Sequence, residues 1–382
     1  MSGTSARPPR RLLIIARSGR ALAASARRAG YSCDVIDQFA DADTRALSDF
    51  CRVAAQLTPA VLAPLLAEWH DRAGDANIIV GGGIEAQPAL VDWLTEYAPV
   101  AANSAAMLAA LKQPRKLAAL LDELAIPHPA IVTDADAAQG PATDWLVKQT
   151  GADGGGHVRG WQPAGGLGTD EYLQRRCSGR PASVVFLAGG HGARLVGYNH
   201  CLQAAAQTGD ADDYRFAGAI AAPWPASLTA AIAAAVSRLV AATGLRGLCG
   251  VDLLVDESSG AFVLLEVNPR PPASFELHEQ GGSLVAAHLA ACDGRLPTDW
   301  PAAGDCPGKL VVYSGDAVAV PGDIAWPDWS ADRPPAASRL QAGTPLCTVF
   351  ARAATPAACE QALYARRDKL IKSIKNNSQI TD

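Results

Sequence analysis

The sequence predicts an α/β protein that opens on a parallel sheet, continues into a mixed α+β part and ends in a small β region. Residues 11–16 are an apolar run, a helical segment follows and stops at Gly30, and residues 33–37 form a second apolar run, which together make a βαβ unit. Further along, two apolar runs joined by a polar turn at 256–260 predict an antiparallel strand pair. A length of 382 residues exceeds one ordinary domain, so we expect two or three packed units.

Composition narrows the class of protein. With 49% hydrophobic residues the core is ample, and a net charge of -5 gives no electrostatic reason to expect a nucleic-acid partner. Nine cysteines are scattered without a Cys-x-x-Cys pair, which argues against disulfides and zinc and favours the cytoplasm. The N-terminal apolar run is too short for a membrane span, so no membrane partner is expected.

The first sheet has polar residues at one edge. The loop after the first strand, ARSGRA, lacks the three glycines of a dinucleotide fingerprint, which excludes NAD binding. The strand at 77–80 runs into three glycines and Glu85. Because ligands gather at the carboxyl ends of parallel strands, Arg17, Ser18 and Glu85 are expected to form a substrate-binding edge.

The antiparallel pair carries the chemistry. If its strands pair across the 256–260 turn, Asp252 and Glu266 meet on one face, with Asn268 two residues further along that face. Carboxylate and amide oxygens suit Mg²⁺, or Mn²⁺ in the same role. Arg270 follows directly, a permanent cation suited to a phosphoryl group. A buried hairpin with charged residues at its ends is the alternative interpretation of the carboxylate pair, and the Asn-Pro-Arg continuation favours the metal site.

The segment GVDLLVD…LLEVNPRP resembles the metal-binding strands of the ATP-grasp superfamily, which includes biotin carboxylase, D-alanine ligase and purine-pathway carboxylases. The resemblance implies an N-terminal pre-ATP-grasp domain at 1–105, a mobile lid region at 106–185, a central domain with the metal site at 186–300, and a small C-terminal β cap with a helical tail at 301–382. It also implies ATP and Mg²⁺ as cofactors and, as is usual among such enzymes, a homodimer. Within the superfamily the chain looks closest to predicted carboligases associated with C1-carrier cofactor genes.

Two segments predict phosphate contacts. A strand ending in Lys148 precedes Gly154, Gly155 and Gly156, whose backbone can approach phosphate oxygens closely, and this arrangement is similar to the ATP-grasp lid. A flexible hairpin with a surface lysine would look the same. His157 stands where relatives often have arginine, and its role is open. The resemblance also implies a phosphate-binding cation at the start of the helix at 113–124, supplied by Arg115 or Lys116.

The stretch at 172–186 predicts a hairpin with a Ser-Gly turn. It resembles the adenine hinge of ATP-grasp enzymes, which assigns Gln174, Arg175, Arg176 and Cys177 to the nucleotide. In relatives a segment near Arg215 approaches the nucleotide and second substrate, although a plain surface loop is an equal alternative here. Ser274 stands where biotin carboxylase-like chains have a catalytic glutamate, and Glu276 lies two residues further on.

The function implied is ATP-dependent ligation of a small-molecule carboxylate to an amine through an acyl phosphate, with Lys148 and Arg270 as catalytic residues. The resemblance to the carboligases associated with C1-carrier cofactor genes implies a glutamate-type ligation in the synthesis of a methanofuran- or methanopterin-like cofactor. Two alternatives stay open. One is a carboxylase that forms carboxyphosphate from bicarbonate, with a role for Glu276. The other is a non-catalytic nucleotide-binding protein.

Overall fold

The N-terminal part is the predicted parallel sheet. The computed structural model describes residues 11–378. Five parallel strands lie in the order β3-β2-β1-β4-β5. The strands are β1 (Arg11–Ala16), β2 (Ser32–Asp37), β3 (Phe50–Val53), β4 (Asn77–Val80) and β5 (Val100–Ala101). The helices of this part are α1 (Arg20–Arg28), α2 (Ala42–Leu47), α3 (Pro59–Ala73), α4 (Leu90–Leu94) and α5 (Ala105–Lys112).

Strand β1 explains how this sheet builds an edge for ligands. Its residues from Leu12 to Ala16 are fully buried, as expected for a central parallel strand covered on both faces. Because Ile15 lies opposite Val80 of β4, the two strands end together. Arg17 and the glycines after β4 therefore come out side by side, and the Arg17 N–H donates to the Gly82 carbonyl at 2.7 Å.

The last helix of this part and the helix that follows it meet at a corner. Helix α5 ends at Lys112, and α6 (Pro114–Glu123) starts two residues later with Pro114 in its first turn, where the missing N–H costs nothing. The Gln113 side chain caps α6 by accepting from the Lys116 N–H at 3.1 Å. The side chains of Leu117 and Leu121 pack into the central core, which holds the corner in place.

The lid region is a small four-stranded sheet in the order β6-β9-β7-β8. Its strands are β6 (Ile131–Val132), β7 (Trp145–Gln149), β8 (Arg159–Gly160) and β9 (Glu171–Arg175). Trp145, Val147 and Leu173 form its own buried cluster. This sheet is thus a separate layer with a small core of its own, and its role as a mobile lid stays a prediction.

The hairpin predicted at 172–186 is wrong. Strand β9 pairs with β6 and β7 of the lid, whereas the next strand, β10 (Arg180–Gly189), pairs with strands of the central sheet. The reason is packing, because Leu173 belongs to the lid cluster while Val184 and Phe186 belong to the central core. The four residues between the strands are therefore a link between two layers.

The central part is an eight-stranded sheet in the order β14-β13-β10-β11-β12-β15-β19-β17. Besides β10, its elements up to residue 292 are β11 (Ala193–Gln203), α7 (Ala205–Thr208), β12 (Phe216–Ala221), α8 (Ala226–Thr243), β13 (Arg246–Asp256), β14 (Ala261–Asn268) and α9 (Leu284–Cys292). Helix α8 covers one face, where Leu228, Ile232 and Leu239 are buried, each burial being worth about 2 kcal/mol. Helix α9 belongs to a second core cluster together with residues of α1 and β1, so the sheet is covered on both faces. By length and composition alone α8 is apolar enough to cross a membrane, and about a third of it is buried here.

The C-terminal strands extend this sheet. Strand β15 (Cys306–Tyr313) pairs with β12, and β19 (Pro345–Ala353) follows it, so the predicted β cap is continuous with the central sheet. The remaining elements are β16 (Val318–Ala319), β17 (Ser330–Ala331), β18 (Arg339–Leu340) and α10 (Pro356–Ser378). The α/β fold class is confirmed. The division into four domains stays a prediction, and its ends at 1–10 and 379–382 lie outside the described residues.

Candidate active site

The predicted strand pair brings the three proposed metal ligands together. Strands β13 and β14 are antiparallel, with Asp252 opposite Glu266 and Gly250 opposite Asn268. A bulge follows Asp252, and the Asn268 Nδ2 donates to Asp252 Oδ2 at 2.8 Å. The predicted register is confirmed. The role of these oxygens as metal ligands stays a prediction.

A lysine that the sequence did not single out lies against these ligands. The Lys112 ammonium donates to Glu266 and lies 3.3 Å from Asn268 Oδ1, with only 6% of its side chain exposed. It comes from the last residue of α5, an otherwise apolar helix. That lone terminal lysine, three residues before Arg115, was the available signal.

The two cations expected to bind phosphate at the start of α6 lie elsewhere. Arg115 and Lys116 are exposed at the start of α6, and no contact joins either side chain to Asp252, Glu266 or Asn268. Pro114 starts a new helix, and Arg115 and Lys116 lie on its exposed face. The cation next to the carboxylates is thus supplied by the preceding helix, while the phosphate role of Arg115 or Lys116 stays a prediction.

The charges around Glu266 are balanced by lysines. Burial opposes ionisation of Glu266, but the positive charges of Lys112 and Lys148 outweigh it and hold its pKa below the usual value. Burial and the neighbouring Glu266 charge raise the pKa of Asp252. Burial lowers the pKa of Lys148, and the negative charges of Glu266 and Asp252 partly oppose this effect. The assignment of Lys148 to the nucleotide phosphates stays a prediction.

The glycine-rich loop is docked onto the central part. The Phe216 N–H donates to the Gly154 carbonyl at 2.9 Å. Gly155 has a φ of +78°, and a Cβ there would overlap the carbonyl oxygen of Tyr214, so only glycine fits. Gly156 packs beside Arg215. Burial lowers the pKa of His157, and its buried Nδ1 has no hydrogen-bond partner within residues 11–378.

The edge of the first sheet meets this loop. Arg270 donates to Glu85, and the charges of Arg270 and Lys112 outweigh burial to hold the pKa of Glu85 below its usual value. Arg17 forms an ion pair with Asp153 of the loop at 2.5 Å. Ser18 is exposed in the same turn. The edge, the loop and Arg270, which lies two residues after β14, therefore come together, while the role of Arg17, Ser18 and Glu85 in substrate binding stays a prediction.

The hinge residues separate into two sets. Gln174 is buried, and its Nε2 lies 3.4 Å from the Leu265 carbonyl of β14. Arg175 approaches Asp144 at 3.5 Å, and Arg176 donates to the Tyr214 hydroxyl at 2.6 Å. The side chain of Cys177 donates to the Arg175 carbonyl at 3.7 Å. The two arginine side chains therefore tie the hinge to neighbouring loops.

Three predicted substrate residues have protein partners. Ser274 is buried and accepts from Asn199 Nδ2 at 3.2 Å. Glu276 is buried between Arg20 and Lys309, and these two cations outweigh burial to hold its pKa below the usual value. Arg215 donates to the Gly343 carbonyl at 2.7 Å and stacks over Tyr313, with its Cζ 4.5 Å from the ring centre.

Comparisons with known proteins identify chains of similar fold. Residues 113–274 match the family described as ATP-grasp domain. No curated protein matches the sequence. Among solved structures, pyruvate carboxylase of Rhizobium etli is similar with a TM-score of 0.73 and 17% identity, over 94% of this chain and 37% of that chain.

Two shorter structures match along nearly their whole length. Biotin carboxylase of Campylobacter jejuni has a TM-score of 0.69 and 14% identity, over 92% of this chain and 89% of that chain. The L-amino acid ligase of Bacillus licheniformis has a TM-score of 0.68 and 13% identity, over 95% of this chain and 98% of that chain. The chain therefore has the ATP-grasp fold, and its residues 113–274 match the ATP-grasp domain family.

Proposed function

We propose that this chain is an ADP-forming ligase that joins a small-molecule carboxylate to an amine through an acyl phosphate. The observation that carries the proposal is the convergence of Asp252, Glu266 and Asn268 with a buried lysine beside them and Arg270 at the adjoining edge. Such a set of oxygen ligands and cations serves phosphoryl transfer, which depends on positioning and charge stabilisation.

The donor set fits a divalent cation. Asp252, Glu266 and Asn268 offer oxygen atoms on one face, and the Lys112 ammonium already places a positive charge against two of them. Mg²⁺ bound there would neutralise the phosphates of ATP and orient the γ-phosphate. Lys148 adds a point charge from the lid, and the backbone of the 154–156 loop encloses the phosphates.

The proposed reaction has two steps. A carboxylate oxygen of the substrate attacks the γ-phosphorus, and the bond from that phosphorus to the bridging oxygen breaks, which releases ADP. The amine nitrogen then attacks the acyl carbon, phosphate leaves, and the amine loses a proton. Arg270 stabilises the transferring phosphoryl group, while the docked loop excludes water and protects the acyl phosphate from hydrolysis.

The carboxylase alternative is less well supported. A bicarbonate-deprotonating base needs a carboxylate with a raised pKa and an open face. Glu276 instead is held between Arg20 and Lys309, and Ser274 is a neutral hydroxyl buried beside Asn199.

The proposal also includes the substrate class, the cellular location and the oligomeric state. The group that the sequence resembles suggests a glutamate-type ligation in building a methanofuran- or methanopterin-like C1 cofactor. We infer a cytoplasmic enzyme acting on small molecules, in keeping with the absence of a basic surface bias in the sequence. We also propose that the enzyme is a homodimer.

ADP release from MgATP tests the proposal. Purified protein is assayed against pools of amino acids, small carboxylates and bicarbonate, with hydroxylamine present to trap acyl phosphate as a hydroxamate. We expect ADP and hydroxamate with one carboxylate pool, and we expect both to disappear in Glu266→Ala and Asn268→Ala. Lys148→Ala should weaken nucleotide binding and turnover.

The matched control is Glu257→Ala, a glutamate exposed at the turn of the same hairpin, which should keep normal turnover. ADP release with bicarbonate alone would replace the ligase by the carboxylase. MgADP binding without turnover under any pool would support a non-catalytic nucleotide-binding protein. Normal turnover in Glu266→Ala would refute the metal assignment.

A further inference from the structure

Two arginines from distant parts of the chain meet one carboxylate of the lid loop. Asp153 Oδ1 lies 2.5 Å from Arg17 Nη2, and its Oδ2 lies 3.8 Å from Arg270 Nη2. Only 9% of the Asp153 side chain is exposed. Two guanidinium groups on either side of one carboxylate are a geometry that recognises carboxylates in general.

Arg270 connects this pocket to the proposed metal ligands. Its Nη2 lies 3.3 Å from Asn268 Oδ1 and 3.8 Å from Asp153 Oδ2, while Glu85 holds its Nε. One nitrogen therefore faces both the phosphate-handling strands and the carboxylate position. A carboxylate at that position lies beside the group that would receive the γ-phosphate.

The floor of the pocket is backbone. A Cβ placed on Gly82 would lie 3.7 Å from Asp153 Oδ2 and 3.8 Å from Arg270 Cζ. A methyl group would only touch the pocket, but any longer side chain at this position would fill it. The Arg17 N–H bond to the Gly82 carbonyl fixes the distance between the floor and the first arginine.

Asp153 lies on a connecting loop of this site and not on a strand. It lies in the loop between Lys148 and His157, and Gly151, Gly154 and Gly155 in that loop adopt positive φ angles. Arg17 and Arg270, by contrast, follow strands of the packed sheets. The arginines are therefore the fixed part of the pocket and the carboxylate is the exchangeable part.

We propose that Arg17 and Arg270 form the subsite for the substrate carboxylate, and that Asp153 holds this subsite until a substrate carboxylate displaces it. The inference rests on the proposed function, because the carboxylate bound here is the one that the ligase would phosphorylate. Exchange of one carboxylate for another leaves the charge of the pocket unchanged, so neither arginine loses its counterion.

Carboxylate binding in the absence of ATP tests the subsite. The probes are acetate, succinate and L-glutamate, measured by calorimetry on the full chain with chloride at matched ionic strength. Removing the competing charge in Asp153→Asn should tighten binding of at least one probe about tenfold, as expected if the internal carboxylate occupies the subsite nine-tenths of the time. Arg17→Gln should weaken binding of that probe about tenfold. The control is Arg52→Gln, which removes an exposed arginine of β3 that pairs with Glu68, and it should leave probe binding unchanged.

Hydrogen exchange supplies a second measurement that does not depend on affinity. The probe that binds should raise amide exchange of residues 151–158 in the wild type, because Asp153 leaves its arginines, and should have no such effect in Arg17→Gln. Equal affinity in the wild type and Asp153→Asn, or no probe binding to Asp153→Asn, would overturn the subsite. Carboxylate binding that follows the proposal, without any ADP or hydroxamate formation, would instead refute the ligase and leave the subsite standing.

Discussion

Replacing Lys112 by methionine tests how the carboxylates of the site are balanced. Methionine keeps a long apolar stem and removes the ammonium that lies against Glu266 and Asn268. Breaking a buried ion pair from one side costs about 3–5 kcal/mol. Because 27% of the Glu266 side chain is exposed and Lys148 acts on it as well, we expect a loss of about 3 kcal/mol, at the low end of that range.

The loss should depend on the divalent cation. In EDTA, Glu266 and Asp252 would keep their mutual repulsion without the lysine, whereas Mg²⁺ bound to the same oxygens supplies the missing positive charge. We therefore expect Mg²⁺ to reduce the destabilisation of Lys112→Met to about 1 kcal/mol, since a ligand that binds only the folded state stabilises it. Turnover should fall in either case, because the phosphates lose a neighbouring cation.

The assay is urea unfolding followed by tryptophan fluorescence, with EDTA or with MgCl₂. The matched control is Lys116→Met, which removes an exposed lysine four residues away and should change stability by less than about 0.5 kcal/mol. Unchanged stability of Lys112→Met in EDTA would refute the charge argument. An equal loss with and without Mg²⁺ would separate the lysine from the metal site.

The remaining predictions concern the loop and the pH dependence of stability. Gly155→Ala places a Cβ against the Tyr214 carbonyl and should undock the loop, which lowers ADP formation at least tenfold. The control is Gly160→Ala in the same sheet, where the added Cβ meets open space and ADP formation should not change. Normal turnover in Gly155→Ala would refute docking as a requirement. Burial, followed by the charges of Asp332 and Asp37, raises the pKa of Asp41 from 3.8 to about 8, so the folded state binds an extra proton between those values and the free energy of unfolding falls as pH rises through that window. Asp41→Asn should remove on the order of 2 kcal/mol of this fall, measured by urea unfolding at about pH 5 and about pH 8.5, and equal pH dependence in both proteins would contradict the assignment.

Local sequence was enough to locate the proposed metal ligands. The apolar runs around the 256–260 turn predict an antiparallel pair that brings Asp252 and Glu266 together, whereas the bulge after Asp252, which sets the exact register, is not visible in the pattern. A similar argument placed β4 at 77–80 and α8 at 226–243 with the bounds that the structure has. In each case the signal is periodicity and a turn or cap, which act within a few residues.

Local patterns failed where two layers compete for one segment. Residues 171–189 contain two strands and a turn, so a hairpin was the natural prediction, yet each strand pairs within a different sheet. The choice depends on which core buries Leu173 and which buries Val184. No pattern within the segment carries that information.

The sequence alone determined the α/β fold class and the pairing of the two strands that carry Asp252 and Glu266, because these follow from short-range periodicity and turn chemistry. Only the tertiary structure decided that Lys112 supplies the buried cation, that Glu276 is held by Arg20 and Lys309, and that Asp153 lies between Arg17 and Arg270. Those contacts join residues far apart in the chain. Their partners are selected by packing and by the need to compensate buried charge, which arise only once the sheets have assembled.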